Sequence, residues 1–323
     1  MTFDKVFKVD AIQDEQIVGS SPEIKSIKRA VKKLAKLDSN ILFIGETGVG
    51  KEFIARQLHV HSARRNRPFV ELNCSALGKT ICHHEIYGEE EPGAEPRVQI
   101  LGLLEKANRG ILFLDNLEDM NAEYQREFLQ ILREKKIRRL GGEENIPIDI
   151  RIVATSLYNL PKELESRGFR RELFHLLNVL QLEVPALRER KQDIPELFIY
   201  FLKKFCDEQG REIPAIPTEM FESIMEYDWK GNVRELENSV QNLLAMSPEL
   251  QLATEFLPFR VKHHPLDQLE VKNLKGVINE VETYLIGKAL RKFAGNQVKA
   301  AKLLGIPEAT LRFKIRKYHI PRD

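Results

Sequence analysis

The sequence contains few cysteines, a single tryptophan and no long apolar run. Its three cysteines, at positions 74, 82 and 206, are irregularly spaced in 323 residues. This pattern predicts free thiols in a reducing compartment and excludes a disulfide framework. No stretch of about 18 apolar residues occurs, and the charged N-terminus lacks the apolar segment of a secretory signal. We therefore expect a cytoplasmic protein without a membrane partner.

A strong net charge is also absent, because 50 Lys and Arg residues are balanced by 48 Asp and Glu residues. The distribution of charge is nevertheless uneven. The last forty residues contain ten Lys or Arg and two Asp or Glu, about +8, which leaves about −6 for the rest of the chain. Such an asymmetry indicates a nucleic-acid partner, and a solvated basic tail is the alternative. Helical spacing of the apolar residues in this segment favours a folded domain.

Strands and helices are predicted to alternate in the first half of the chain. Residues 22–37 place apolar side chains on one helical face, with Ser21 as N-cap and Pro22 at the first helical position. A second amphipathic helix is predicted over residues 122–137. Short apolar runs predict strands at 41–44, 68–74, 110–116 and 148–156. This alternation over residues 17–185 indicates a parallel sheet with helices on both faces.

The pattern becomes helical after Pro185. A period of 3.6 residues is visible in segments 193–210, 217–229 and 232–246. Residues 257–268 contain two prolines and little periodicity, which predicts a linker. A long amphipathic helix over 274–293 and a compact helical module complete the chain.

The stretch GETGVGKE, residues 45–52, lies between a predicted strand and a predicted helix. It matches G-x-x-x-x-G-K, in which the glycines let backbone N–H groups face phosphates and the lysine reaches the β- and γ-phosphates. We predict that a nucleotide is bound by Gly45, Glu46, Thr47, Gly48, Val49, Gly50, Lys51 and Glu52. Because Glu52 replaces the usual Ser or Thr, Mg²⁺ should depend more on Asp115 and water.

The stretch ILFLDN, residues 111–116, is a short apolar run that ends in Asp115 and Asn116. A carboxylate at the end of such a strand is a common magnesium ligand. In most nucleotide hydrolases of this design a second carboxylate follows and orients or deprotonates the attacking water. An amide can hydrogen-bond to water but cannot accept its proton.

Five stretches, taken in order, resemble a known family: IVGSSPEIKSIKRAVKKLAKLDSNILFIGETGVGKEFIARQLH, ELNCSAL, GILFLDNL, GFRRELFHLLNVLQLEVPALRERKQDI and WKGNVREL. They resemble the AAA+ domain of bacterial enhancer-binding proteins, the NtrC-like activators of sigma-54 RNA polymerase. The resemblance covers nearly the whole chain. It implies an α/β AAA+ fold, with a parallel-sheet P-loop core and an α-helical lid, followed by an all-α Fis-type helix-turn-helix domain. It also implies ATP and Mg²⁺ as cofactors.

The implied organisation has five parts. They are an N-terminal tail (1–16), the α/β nucleotide-binding subdomain (17–188), the helical lid (189–256), a linker (257–268) and the helix-turn-helix domain (269–323). Because the resemblance begins near residue 17, we expect no sensory domain ahead of it.

The C-terminal stretch ALRKFAGNQVKAAKLLGIPEATLRFKIRKYHI resembles the Fis-type helix-turn-helix. Its residues agree: 297–304 form a short helix, Gly305 makes the turn and Pro307 opens a second helix with Leu311 and Ile315 facing inward. The second helix then presents side chains to the groove and phosphates of double-stranded DNA. We predict DNA contacts for Thr310, Arg312, Phe313, Lys314, Arg316 and Lys317. A purely structural helical hairpin is the alternative.

The resemblance also assigns site residues. In this family, ATP is bound between subunits of a ring, so we expect a homo-oligomer, either a dimer through the C-terminal domain or a hexameric ring. Asn73 matches the asparagine that pairs with the catalytic glutamate, and Thr155 belongs to a partly retained polar sensor. The remaining matches are Val18 and Gly19 against adenine, Asp115 for magnesium and Arg234 as the sensor arginine of the lid.

Three departures from the family pattern concern the coupling of ATP to polymerase remodelling. The catalytic glutamate is replaced by Asn116. The motif with two arginine fingers reads FRRELFHLL, so Arg170 is kept and Leu176 replaces the second arginine. An arginine supplied in trans is worth about 10³–10⁵ in rate. The GAFTGA loop that acts on sigma-54 is missing, and only the pair Gly93–Ala94 remains.

Our leading hypothesis is a DNA-binding transcriptional regulator that binds ATP but has impaired or lost hydrolysis and sigma-54 remodelling. A second hypothesis is a working sigma-54 activator ATPase, in which Asn73 and Asn116 position the water or Glu118 acts as the base. A third is a modulator that co-assembles with another enhancer-binding protein. The cluster Cys82-His83-His84 is not predicted to bind a metal, because adjacent side chains diverge and no second pair lies nearby in sequence.

Overall fold

The computed structural model describes 16–90, 99–157, 168–247, 252, 257, 282–283, 285–287, 289–290, 293, 295–318 and 320. The predicted tail, most of the linker and much of the 274–293 segment lie outside these residues. Two compact units are present, one of Met1–Ile216 with Asp228–Leu252 and one of Pro217–Tyr227 with Ala253–Asp323. Among the residues described, no helix is long and apolar enough to cross a membrane.

The centre of the first unit is a five-stranded parallel sheet in the order β2-β5-β8-β1-β9. Its strands are β1 (Ile41–Ile44), β2 (Phe69–Asn73), β5 (Ile111–Asp115), β8 (Arg151–Ser156) and β9 (Leu180–Glu183). The strands predicted at 41–44, 68–74, 110–116 and 148–156 are confirmed, although three are shorter than predicted. Strand β9 was not predicted, because LQLE is only half apolar. In the structure Leu180 and Leu182 are half-buried, and Gln181 and Glu183 are exposed.

Two short antiparallel pairs lie outside the main sheet. Strands β3 (Gly88–Glu90) and β4 (Gln99–Leu101) form one hairpin, and β6 (Lys136–Ile137) and β7 (Ile146–Pro147) form the other. Residues 88–90 and 99–101, at either end of the segment that replaces the GAFTGA loop, form the first of these pairs. Gly93 and Ala94 themselves lie outside the described residues.

Helices cover both faces of the sheet. They are α1 (Pro22–Leu34), α2 (Lys51–Val60), α3 (His83–Tyr87), α4 (Leu103–Lys106), α5 (Ala122–Glu134) and α6 (Arg171–Leu177). Alternate residues of β1 enter opposite cores: Ile41 and Phe43 pack with the side chains of α1 and α2, and Leu42 and Ile44 pack with those of α3 to α6. This two-sided burial is the arrangement expected of a parallel sheet.

Two predicted helix ends are wrong. Helix α1 ends at Leu34 and α5 ends at Glu134, each three residues early. After α5, Lys135 adopts a left-handed conformation with φ of 51°, and the next two residues pair with β7. The hairpin thus uses residues whose composition alone is compatible with a helix.

The lid of the first unit contains α7 (Ile194–Gln209) and α9 (Asn232–Met246), which pack against each other. Helix α8 (Thr218–Glu226) belongs to the second unit by its contacts. The second unit also contains α10 (Gln297–Leu304) and α11 (Glu308–Lys317) around a small core that includes Leu311 and Ile315. The fold class is confirmed, and the exact domain boundaries stay predictions.

Candidate functional site

The phosphate-binding loop joins β1 to the N-terminus of α2. Gly50 has φ of 101° and a Cβ added to it would meet open space, so glycine is favoured there by backbone conformation alone. Gly48 has φ of 80°, and a Cβ would lie 2.3 Å from the carbonyl oxygen of Gly231 in the lid. Only glycine therefore lets the loop approach the lid this closely.

The lysine of the loop is buried at the start of α2. The Lys51 Nζ donates to the backbone oxygens of Gly45 at 2.6 Å and Glu46 at 3.1 Å. Burial lowers the pKa of Lys51, and the nearby carboxylates of Asp115 and Glu118 act in the opposite direction. A buried ammonium group beside N–H groups of a helix N-terminus suits a polyphosphate ligand.

A cavity of about 400 Å³ opens beside this loop. Residues 16–18, the loop, the end of β5 and the facing sides of α7 and α9 line it. Its apolar wall comes from the sequence before α1 and from the lid, and its charged end comes from the loop. The lining residues include Ile17, Val18, Thr47, Lys51, Glu52, Asp115, Asn116, Arg190, Leu197, Tyr200, Phe201, Lys204, Arg234 and Glu237.

The segment predicted to contact adenine is held by a lid carboxylate. Buried Asp193 accepts hydrogen bonds from the backbone N–H of Ser20 at 2.9 Å and of Ser21 at 2.8 Å, and from the Ser21 hydroxyl at 2.7 Å. Gly19 packs so closely on this carboxylate that a Cβ would lie 2.8 Å from its Cγ. Val18 lines the cavity, whereas Gly19 is outside its lining and packs on Asp193.

Glu46 connects the loop to the lid instead of facing the cavity. Its carboxylate pairs with both terminal nitrogens of Arg188, at 2.7 and 2.5 Å, and accepts from the Asn232 side chain at 3.1 Å. The hydrogen bond with Arg188 is the main reason that the pKa of Glu46 falls to about 2. Asn232 also donates to the Thr47 backbone oxygen, and the Arg234 backbone N–H donates to that of Gly48.

The end of β5 brings together the predicted magnesium, sensor and catalytic residues. The Thr155 hydroxyl donates to Asp115 Oδ1 at 2.5 Å and accepts from the Asn116 backbone N–H at 3.0 Å. The side-chain amide of Asn116 donates to Asp115 Oδ2 at 3.1 Å and to Asn73 Oδ1 at 3.4 Å. The position next to the carboxylate predicted to bind magnesium is therefore occupied by a neutral amide, which hydrogen-bonds to both Asp115 and Asn73.

Two other carboxylates lie near this end of the sheet. Glu118 accepts from the Leu157 backbone N–H at 3.3 and 3.4 Å, and burial raises its pKa. Glu71 on β2 forms an ion pair with Arg56 at 2.6 Å, yet burial and the neighbouring Glu52 raise its pKa to about 7. The contacts of Glu118 point its carboxylate to the end of β8.

The arginine-finger motif forms the start of α6. Arg170 is exposed, and its backbone N–H donates to the Gln125 side chain at 2.8 Å. Leu176, at the second finger position, is half-buried against the sheet core. An arginine at position 176 would have to move out of this apolar contact to reach a neighbouring subunit.

The second unit contains the predicted DNA-contacting helix, α11. Leu311 and Ile315 are buried as predicted, and Phe313 is 65% exposed on the opposite side. Thr310, Arg316 and Lys317 lie on the same helix, and Arg312 pairs with Glu308 one turn earlier. Lys314 instead bonds to Glu282 at 2.5 Å, and Tyr318 donates to the same carboxylate oxygen at 2.7 Å. This geometry favours an internal ion pair for Lys314 over the predicted phosphate contact.

The donor set fits a magnesium nucleotide. The loop supplies backbone N–H groups and Lys51 for the phosphates, and Asp115 with Thr155 supplies oxygen donors of the kind that Mg²⁺ prefers. Sequence reasoning missed Arg190, Asp193 and the cavity-facing residues of α7. Both Arg190 and Asp193 lie in the stretch VPALRERKQDI, but no local pattern distinguishes them from its exposed charged residues Arg188 and Glu189.

Three family models match consecutive parts of the chain. They are the sigma-54 interaction domain over residues 17–183, the AAA+ ATPase lid domain over 188–273 and the Fis family of bacterial regulatory proteins over 277–318. Their order is that of the family resemblance, and the lid model extends through residues 257–268, which the sequence predicted as a linker.

Several similar curated proteins are named as transcriptional or regulatory proteins. The chain is 37% identical over 309 residues to a signal-transduction and transcriptional-control protein of Clostridium beijerinckii, covering 95% of this chain and 49% of that protein. It is 36% identical to the regulatory protein AtoC of Escherichia coli, covering 95% and 68%. NtrX from Brucella abortus in complex with ATP has a TM-score of 0.70 and 28% identity, covering 94% and 69%. The chain thus spans from 49% to 69% of the length of these relatives.

Proposed function

We propose a function from the premise that this chain belongs to the NtrC-like family of sigma-54-dependent transcriptional activators, with its AAA+ domain, lid and Fis-type helix-turn-helix. The proposed function is that of a DNA-binding transcriptional regulator that binds ATP and hydrolyses it slowly or not at all. Nucleotide then acts mainly as a structural ligand that favours self-assembly and occupancy of an enhancer-like DNA site.

The observation that carries this proposal is the placement of Asn116. Its amide nitrogen donates to Asp115 and Asn73, so the side chain occupies the water-activating position without a group that accepts a proton. Mg²⁺, when bound with ATP, would neutralise charge on the phosphates. The chain's own residues would then bind and orient the nucleotide through Lys51, Asp115 and Arg234, while the step that needs a base is slow.

Two further features support the proposal. The second arginine finger is replaced by Leu176, whose side chain packs on the core. The segment in place of the GAFTGA loop has neither the aromatic residue nor the threonine of that motif. These features argue against sigma-54 remodelling in the manner of the family, whereas the nucleotide cavity and the DNA-binding helix are retained.

The test compares ATP binding and turnover in the native chain, Asn116→Glu and Asn116→Gln. The glutamate adds a base, and the glutamine adds the same length without one. We expect all three to bind ATP, and Asn116→Glu to hydrolyse it roughly a hundredfold or more faster than the others, since a positioned base contributes about 10²–10⁴. Fast single-turnover hydrolysis by the native chain would refute impaired catalysis.

If Asn116→Glu hydrolyses ATP no faster than Asn116→Gln, the limiting defect lies at another residue. The double variant Asn116→Glu with Leu176→Arg then tests the missing arginine finger. Turnover that appears only in the double variant, and rises with protein concentration, would indicate that catalysis requires an arginine from a neighbouring subunit.

A working activator is the competing function. The observation in its favour is the position of Glu118, whose carboxylate is close enough to Lys51 to act against the lowering of that lysine's pKa. This function predicts ATP-dependent open-complex formation with sigma-54 RNA polymerase and loss of turnover in Glu118→Gln.

A co-assembling modulator is the third candidate. Because Arg170 is exposed, it is available to the nucleotide site of a neighbouring subunit, even when ATP hydrolysis at the chain's own site is slow. Mixed rings in co-purification with an orthodox family member would support this function, and strictly homomeric assembly would count against it.

A further inference from the structure

A histidine and two glutamates from distant parts of the sequence meet on the surface of the first unit. His83 opens α3, and Glu123 and Glu127 lie one turn apart on α5. Their ligand atoms all lie within 4.8 Å of one another. The sequence predicted no metal site at Cys82-His83-His84 because no second pair was close along the chain. The fold supplies the missing pair from a helix that begins about forty residues later.

The distances suit a shared ion. His83 Nε2 is 2.9 Å from Glu127 Oε1 and 3.9 Å from Glu123 Oε1. Nitrogen and oxygen ligands lie about 2.0–2.2 Å from zinc, so two ligands of one ion are roughly 3–3.5 Å apart. Small side-chain rotations bring these three atoms to that spacing. The exposed side of Glu123 leaves room for water to complete the coordination.

The imidazole is held in place by two tyrosine rings. His83 stacks on Tyr124 with ring centroids 4.9 Å apart, and on Tyr87 at 6.2 Å. Its other nitrogen, Nδ1, lies 3.4 Å from the Tyr124 hydroxyl, and the Tyr87 hydroxyl donates to Glu127 Oε2 at 2.8 Å. Partners on the far side of a ligating histidine and carboxylate are what orients metal ligands and fixes the imidazole tautomer.

The charges also favour a cation. Two like charges at positions i and i+4 of a helix repel each other, and a bound divalent ion would offset this repulsion. One imidazole with two carboxylates suits zinc and its neighbours among the transition metals, whereas Mg²⁺ and Ca²⁺ prefer oxygen ligands only.

We propose that His83, Glu123 and Glu127 form a site for one divalent transition-metal ion, with Zn²⁺ as the best chemical match. The site is separate from the nucleotide cavity and shares no residue with it. A bound ion would join α3 to α5. Because α3 leads directly into β3, the ion would fix the base of the hairpin that stands in place of the GAFTGA loop.

The test uses the full chain, treated with a chelator, without nucleotide, and titrated with Co²⁺ and then with Zn²⁺. Bound Co²⁺ is followed by its visible absorption bands, and Zn²⁺ by displacement of that signal. The native chain should give one saturable Co²⁺ signal that Zn²⁺ abolishes. Zn²⁺ should also raise the melting temperature, because it binds the folded chain.

Two variants test the ligands. His83→Ala removes the nitrogen ligand, and Glu123→Gln changes an exposed side chain that the fold does not need. We expect each to lower the metal affinity roughly tenfold or more, since even loss of an outer-shell partner typically costs 10–100-fold. His84→Ala is the matched control, because this exposed neighbouring histidine is outside the cluster and should leave the affinity unchanged.

Three results would overturn the proposal. One is the absence of a saturable Co²⁺ signal in the native chain. Another is unchanged affinity in both His83→Ala and Glu123→Gln, which would make the cluster an ion-pair network only. The last is equal loss of affinity in His84→Ala, which would place the metal on other residues.

Discussion

At the scale of single residues, the site depends on side chains held in uncommon conformations or surroundings. Asn116 has φ of 58° and ψ of 61°, in the left-handed region that asparagine adopts more readily than glutamate. The local backbone therefore favours asparagine over the glutamate that the family pattern predicts, and Asn116→Glu and Asn116→Gln share this cost. Thr155 and Asp115 fix the backbone and side chain of this residue, so its position is determined by its neighbours.

Glu71 gives a residue-scale prediction about stability. In the folded chain its pKa is about 7, above the ordinary value of 4.5, because burial and Glu52 disfavour its charge. A raised carboxyl pKa means that folding becomes less favourable as the pH rises from about 4.5 through 7. Glu71→Gln removes this penalty. We expect the variant to exceed the native chain in unfolding free energy on the order of 1–2 kcal/mol at pH 8, and to match it near pH 4.

Urea unfolding at the two pH values measures this difference. Glu143→Gln is the matched control, because it removes an exposed carboxylate. It should give the same small change in unfolding free energy at both pH values. A Glu71 variant that loses stability at pH 8 would show that the ion pair with Arg56 outweighs burial.

At the scale of elements, contacts made by three polar side chains join separate segments of the chain. Asp193 connects the segment before α1 to the start of α7, and Glu46 connects the phosphate loop to the lid. Arg151 on β8 donates to the backbone oxygens of Leu34 and Ser39, which satisfies the C-terminus of α1. The contacts of Asp193 and Glu46 place the walls of the nucleotide cavity relative to one another.

Asp193→Asn tests the first of these connections. The amide keeps the size of the side chain but loses its charge and one acceptor, while the two Ser21 donors stay buried. We expect a loss of about 2 kcal/mol in unfolding free energy, since hydrogen bonds to charged groups contribute roughly 1.5–3. ATP affinity should fall as well, because Val18 lines the cavity next to the released segment.

Asp38→Asn is the control for this experiment. Asp38 pairs with Arg64 at 2.9 Å but its side chain is 72% exposed, so its replacement should cost under about 1 kcal/mol. Equal losses in the two variants would show that burial of Asp193 has no special effect.

At the scale of the whole molecule, nucleotide and DNA binding belong to two compact units. The first unit has the cavity, and the second has a basic helix with an exposed aromatic ring. A regulator of this design binds DNA through charge and groove contacts whose strength depends on salt.

Arg316→Ala tests the DNA-binding helix in the full chain. We expect weaker binding to duplex DNA and a decrease of about 1 in the slope of log affinity against log salt concentration, as for loss of one phosphate contact. Lys79→Ala removes an equal charge from an exposed position of the first unit and should leave the slope unchanged. Equal slopes for native and Arg316→Ala proteins would remove this residue from the interface.

Much of the fold and part of the site followed from local patterns. Apolar runs and their periods predicted four of the five sheet strands, and the glycine loop between β1 and α2 predicted where phosphates bind. The predicted end of α5 was wrong, because residues 136–137 pair with β7 and this pairing overrode helix propensity. Strand β9 was missed because LQLE is short and only half apolar, and its pairing with β1 leaves none of its residues fully buried.

Local sequence patterns therefore determined the element types, the phosphate loop, the helix-turn-helix and the replacement of the expected carboxylate by Asn116. Contacts between residues far apart in sequence specified the rest. They join Asn73 to Asn116, Glu46 to Arg188, and His83 to Glu127, across separations of 43, 142 and 44 residues. No local period encodes these pairs. Each exists because the parallel sheet and its helices bring distant chain segments to one edge or one face.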